Sequence, residues 1–153
     1  MGTDQYDVKA NRPRTTFSFI SEGPKGKILK QVQYSKMKIK GRKNIYNLAF
    51  GDINDGINDI DDQVITDNND REKVLATVIN TIYAFTKHHP KATIFFSGST
   101  ASRTRLYQMA IAKFYNDFSD EFSIKGLVNR EFVDFEKNKH YLAFLITRKI
   151  NQL

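Results

Sequence analysis

Between Phe95 and Tyr107 the chain reads Phe-Phe-Ser-Gly-Ser-Thr-Ala-Ser-Arg-Thr-Arg-Leu-Tyr, an apolar strand-like run that breaks on small residues before a helical pattern begins. A helix start leaves N–H groups unpaired, and its dipole favours negative charge. Gly98 lets a ligand come close to the backbone, Ser99, Thr100 and Ser102 add hydroxyl donors, and Ser97 joins them in the candidate anion site. Arg103 and Arg105 supply planar forks suited to phosphate or carboxylate. Ser99 and Arg103 are four residues apart, as are Arg103 and Tyr107, so a ligand at the helix start could meet them on one face. These are the ingredients of an anion cradle. The plainer alternative makes Ser99 a helix cap, Gly98 a tight corner and the arginines partners of nearby acids.

Several known chemistries are excluded around this corner. There is no phosphate-loop lysine and no Gly-x-Gly-x-x-Gly, so neither a nucleotide triphosphatase nor a dinucleotide site follows. Nucleotidyltransferase sites also begin with Gly-Ser, but they need two carboxylates soon afterwards, and the next acid here is Asp117. Proton transfer would fall to histidine, and His88 and His140 are the candidates. The chain has no cysteine, which excludes disulfides, thiol catalysis and cysteine-based zinc sites. No metal or cofactor is called for.

The charge map points the same way as the corner. The formal net charge is +7, and it is unevenly spread. Residues 1–50 hold eleven bases and three acids, residues 51–72 one base and eight acids, and residues 73–153 twelve bases and six acids. A basic N-terminal third attracts polyanions. Its densest stretch is Lys36-Met37-Lys38-Ile39-Lys40-Gly41-Arg42-Lys43, where a strand would put the bases at 36, 38 and 40 on one face. Tyr34 and Tyr46 flank it and could stack on bases. The same stretch also reads as a solvated strand face and charged loop that protect a sheet edge. The acidic run Asp52–Asp62 fails the calcium-loop pattern around Gly56. It reads as a solvated hairpin loop, an irregular cation site, or a counterweight to the basic stretch.

These residues need a scaffold. At 153 residues and 17.7 kDa the chain suits one domain; residues 1–15 read as an N-terminal arm and 16–150 as the domain. No apolar run approaches the ~18 residues of a membrane span, and Met1 to Asn11 lacks the apolar segment of a signal peptide, so a cytoplasmic protein is expected. Alternation predicts strands at 16–21, 27–34, 45–50 and 60–65. Apolar residues at intervals of three and four predict a helix over 71–88, with Asn69 and Glu72 as a capping box and Pro90 as the stop. A strand over 91–97, a helix over 100–116 and strands at 122–128, 131–135 and 140–149 complete the order ββββ-α-β-α-βββ. This is an α+β fold: a mixed, mostly antiparallel sheet with two helices packed on one face.

Four segments carry a family likeness: Phe19–Ile28, Asn44–Asp52, Asp70–Val78 and Gly98–Tyr107. With them the chain resembles a family of small bacterial proteins, a domain of unknown function, across residues 5–149. That resemblance implies a bacterial cytoplasmic setting and brings no catalytic residues and no cofactor.

The expected function is an anion- or phosphate-binding module whose partner is nucleic acid or a phosphorylated small molecule. A small metal-independent ribonuclease of the toxin–antitoxin kind is one alternative, with Arg103 stabilising the charged transition state, Tyr107 orienting, and His140 or His88 moving protons. A structural protein that docks a protein partner is the other.

Overall fold

The computed structural model of the chain describes residues 4–54, 59–61 and 66–149. Those residues form two compact units, each built from separate stretches of sequence. One draws on 4–35 and 48–88, the other on 36–47 and 89–149.

In the first unit, β1 (Lys9–Ala10), β2 (Thr16–Gly23) and β3 (Gly26–Ile39) pair antiparallel in that order. The alternation read from the sequence sets which face is buried. Phe17 and Phe19 on β2 and Val32 and Tyr34 on β3 are buried, while Ile20 and Leu29 face out as cross-strand partners. β4 (Arg42–Asn54) follows β3 and adds Leu48 and Phe50 to the same core, and β5 (Asp59–Asp61) pairs with β4. α1 (Arg71–His88) presents Val74, Leu75, Val78, Ile79, Ile82 and Phe85 to this core; of the residues its periodicity selects, Tyr83 alone is only half-buried.

The second unit holds β6 (Thr93–Phe96), α2 (Ala101–Lys113), α3 (Tyr115–Glu121), β7 (Phe122–Val128), β8 (Glu131–Asp134) and β9 (Phe144–Arg148). Its strands are ordered β6-β9-β7-β8, so the last strand inserts between two earlier ones. That strand is hydrogen-bonded along both edges, and its Phe144, Leu145 and Ile146 are buried.

The protein is therefore α+β with a mostly antiparallel sheet, and several details of the expected order change. Among the described residues there are three helices, not two. The turn at Phe114 (φ −98°, ψ 14°) splits the second predicted helix into α2 and α3. The arm is not free of regular structure: β1 pairs Lys9 with Ser18, and Tyr6 stacks on Phe19. The basic stretch is not a loop, because β3 runs on to Ile39 and β4 starts at Arg42. The last strand starts at Phe144, leaving His140 in a loop. Asn69 sits in the left-handed region (φ 61°), two residues before α1 starts at Arg71. Of the fourth predicted strand, residues 62–65 lie outside the described residues, as do Asp55–Asn58 of the acidic run.

Candidate functional site

The corner between β6 and α2 is built by packing. Ile94 and Phe96 are buried, so the strand end is fixed from below. Thr100, in extended conformation, is the N-cap of α2, and its hydroxyl oxygen accepts the Arg103 N–H at 3.2 Å. The cap thus falls one residue after Ser99. Ser99 and Arg103 meet as their spacing predicts, with Nη1 of Arg103 donating to Oγ of Ser99 at 2.9 Å. Gly98 N–H donates to Oγ1 of Thr104 at 3.0 Å, and that hydroxyl donates to the Thr100 carbonyl at 3.1 Å. A Cβ on Gly98 would stand 2.5 Å from both Cβ of Arg103 and the backbone nitrogen of Thr104. Glycine is required here because the strand end lies directly on the first helical turn.

Around that clasp the other named residues separate. Ser97 and Gly98 are half-buried, Ser99 and Thr100 exposed, and Arg103 half-buried. Arg105 is exposed. The ring of Tyr107 is only 3% exposed and stacks on Phe96, with centroids 4.3 Å apart, so it is part of the core.

The basic stretch forms the tip of the β3–β4 hairpin. Lys36, Lys38, Lys40, Arg42 and Lys43 are all exposed, and with Asn44 they line an open cavity of about 410 Å³. Gly41 turns the chain at φ 80°, a conformation that favours glycine. Among the described residues no carboxylate pairs with any of the five cations. The flanking tyrosines are not stacking platforms of equal standing. Tyr34 is buried, stacked on Phe85 at 4.0 Å and hydrogen-bonded to Thr81 at 2.8 Å. Burial pushes its hydroxyl well above the usual tyrosine range. Tyr46 is half-buried, with His89 5.9 Å from its ring.

A family model described as a family of unknown function, DUF6934, matches residues 2–149. The chain belongs to DUF6934. Neither the curated proteins nor the solved structures return a match.

In this DUF6934 chain the two candidate histidines belong to different units. His88 ends α1 in the first unit, and His140 is exposed in the loop before β9 in the second. The side-chain amide of Gln108 donates to the Lys139 carbonyl, which brings the His140 loop to α2. Of the acidic run, Asp52 is committed to Lys30. Among the described residues no group of three or more metal-ligating side chains is assembled. No described helix is long and apolar enough to cross a membrane.

Two polar clusters in the first unit escape a motif-based reading. Lys30 is fully buried, and its Nζ donates to Oδ1 of Asp52 at 2.6 Å and to the Thr66 carbonyl at 3.0 Å. Oδ2 of Asp52 accepts the Thr66 N–H at 3.0 Å. The signal was present: Lys30 shares the period-two face of Val32 and Tyr34, as Asp52 shares that of Leu48 and Phe50. In the second cluster only Ser21 carries such a signal, on the buried period-two face of Phe17 and Phe19. Tyr6 Oη and Ser21 Oγ each donate to Oδ2 of Asp70 at 2.5 Å, and the amide of Asn68 reaches Ser21 at 3.2 Å. Desolvation, and then the Asp70 hydrogen bond, hold the Tyr6 hydroxyl above its ordinary pKa.

Proposed function

We propose that this protein is a binding module for phosphate polyanions, with nucleic acid as its main partner. The observation that carries the reading is the hairpin tip, where five exposed cations surround one open groove and meet no described carboxylate. A polyanion that neutralises them releases its condensed counterions, so affinity would fall steeply with salt. The corner of Ser97, Gly98, Ser99 and Thr100 with Arg103 adds a phosphate position in the same unit. There a charged phosphate oxygen would compete for the Arg103 guanidinium with the neutral Ser99 hydroxyl, and charge-assisted bonds are the stronger kind.

Fluorescence anisotropy of labelled oligonucleotides, titrated with the protein at 25 to 200 mM salt, tests the proposal. Binding with Kd in the range of roughly 10⁻⁶ to 10⁻⁴ M near physiological salt, and a steep salt slope, is expected. No binding to any oligonucleotide at 25 mM salt overturns it. The runner-up is the metal-independent ribonuclease, favoured by the contact that brings the His140 loop to α2. RNA cleavage in the same samples, lost on Arg103→Ala, would replace binding by catalysis.

A further inference from the structure

We infer that the hairpin tip is shaped for the major groove of duplex DNA rather than for a single strand or an RNA duplex; the inference rests on the nucleic-acid reading above. Proteins that hold single strands without sequence preference pair a basic groove with aromatic rings on which successive bases stack. The tip has the basic groove and lacks the rings: residues 36–44 contain no aromatic side chain. The tyrosine at the β3 shoulder, Tyr34, is sealed into the first unit's core, and the one on β4, Tyr46, is half-buried with His89 5.9 Å from its ring.

What the tip offers instead is the charged end of a β-hairpin, whose β4 strand also neighbours β6 in the sheet. The B-form major groove, about 12 Å wide and about 8.5 Å deep, admits a two-stranded ribbon. Four residues of β3, Lys36 to Ile39, rise about 10 Å at ~3.3 Å per residue, which matches the groove's depth. An A-form RNA duplex closes its major groove to side chains, so the same ribbon has no entry there. The side chains are arranged for this use. Lys36 and Lys38 share one side of β3, and Lys40, Arg42 and Lys43 surround the turn. Ile39, 39% exposed, lines the same groove as the lysines and offers the apolar contact that a thymine methyl accepts. Asn44 adopts φ 59° inside β4, a left-handed conformation in which asparagine is enriched.

The experiment compares a 20-base-pair DNA duplex with single-stranded DNA and an RNA duplex of equal length. The proteins are the wild type and the Lys38→Ala/Lys40→Ala/Arg42→Ala variant, with circular dichroism confirming the fold. The wild type should bind the DNA duplex at least about tenfold more tightly than either competitor. If all five cations neutralise phosphates, a slope near −4.5 weakens binding roughly 500-fold between 50 and 200 mM salt. The triple variant should shorten that slope by about 2.7, and Lys38→Gln alone by about 0.9, which keeps the test open if the triple variant misfolds. Single-stranded DNA or RNA duplex binding as tightly as duplex DNA overturns the inference and leaves the nucleic-acid reading standing. Variants that match wild-type affinity and slope remove the hairpin from the interface, and both readings fall.

Discussion

Lys30 and Lys38 lie eight residues apart on β3 and are handled in opposite ways. Lys30 is fully buried, with the Asp52 carboxylate 2.6 Å from its ammonium, the Thr66 carbonyl at 3.0 Å and the Phe50 ring 6.0 Å away. Lys38 is exposed and meets no described carboxylate. The residue type is the same, so the surroundings decide what its charge does. A buried ammonium is tolerable only with a full set of partners, so Lys30 fixes how β3, β4 and the segment entering at Thr66 sit together. An exposed one keeps its hydration until a ligand with compensating charge arrives. The first unit applies the former principle again at Tyr6, Ser21, Asn68 and Asp70. Among the described residues no buried side-chain nitrogen or oxygen lacks a partner.

The strongest way to break this comparison is to remove one member of the buried pair. Lys30→Met or Asp52→Ala leaves a buried charge uncompensated and should cost about 3–5 kcal/mol in urea unfolding. The double variant Lys30→Met/Asp52→Leu should recover most of that loss, because apolar replacements of a buried pair are often neutral. Lys38→Met should change stability by no more than about 0.5 kcal/mol. A Lys30→Met loss as small as that of Lys38→Met would show that the buried pair does not organise the unit.

How much of this was legible in the sequence depends on the range of the interaction. Local signals were read well: the α1 stripe, the β7–β8 turn at Asn129-Arg130, and the four-residue reach from Ser99 to Arg103. Polar contacts distant in sequence were not. Tyr6 and Asp70 are 64 residues apart, and neither belongs to a pattern that names the other. Lys30 is legible by its strand period, but a charge is expected outside unless it is paired, and its pair is 22 residues away. The basic stretch looked like a loop because alternating Lys and apolar residues with one Gly suit both a loop and a ribbon tip. Only the pairing of β3 with β4 separates the two.

A smaller effect sharpens the comparison inside the second unit, between two glycines. Gly98→Ala drives a methyl group to 2.5 Å from the backbone of Thr104. The first turn of α2 must shift, at a cost of about 1–3 kcal/mol. Gly41→Ala meets nothing within 4 Å, so its cost is conformational, roughly 1–2 kcal/mol for an L-residue in the left-handed region. Crowding and backbone strain can be told apart by asparagine. Gly41→Asn should recover part of the loss because asparagine tolerates that conformation, whereas Gly98→Asn should be worse than Gly98→Ala. Equal recovery at both positions would mean that α2 is not clasped by the strand end.

The smallest effect appears only at alkaline pH and concerns Tyr34. Its hydroxyl is sealed against Thr81, and burial holds its pKa above the ordinary value of 10. In the unfolded chain the same phenol ionises near 10. Its contribution to stability is therefore complete below about pH 10 and is lost as the pH rises above it, since the unfolded state then sheds a proton that the folded state retains. One unit above that point the loss is about 1.4 kcal/mol. At neutral pH, Tyr34→Phe removes one buried hydrogen bond and should cost about 1 kcal/mol, a modest figure because Thr81 still donates to the Val78 carbonyl. The two stability curves should then converge between pH 10 and 11, as the wild type pays the ionisation penalty and the phenylalanine variant does not. Curves that stay parallel through pH 11 would mean that Tyr34 reaches water, and the contrast between a sealed core and an exposed ribbon on one strand would lose its sharpest boundary.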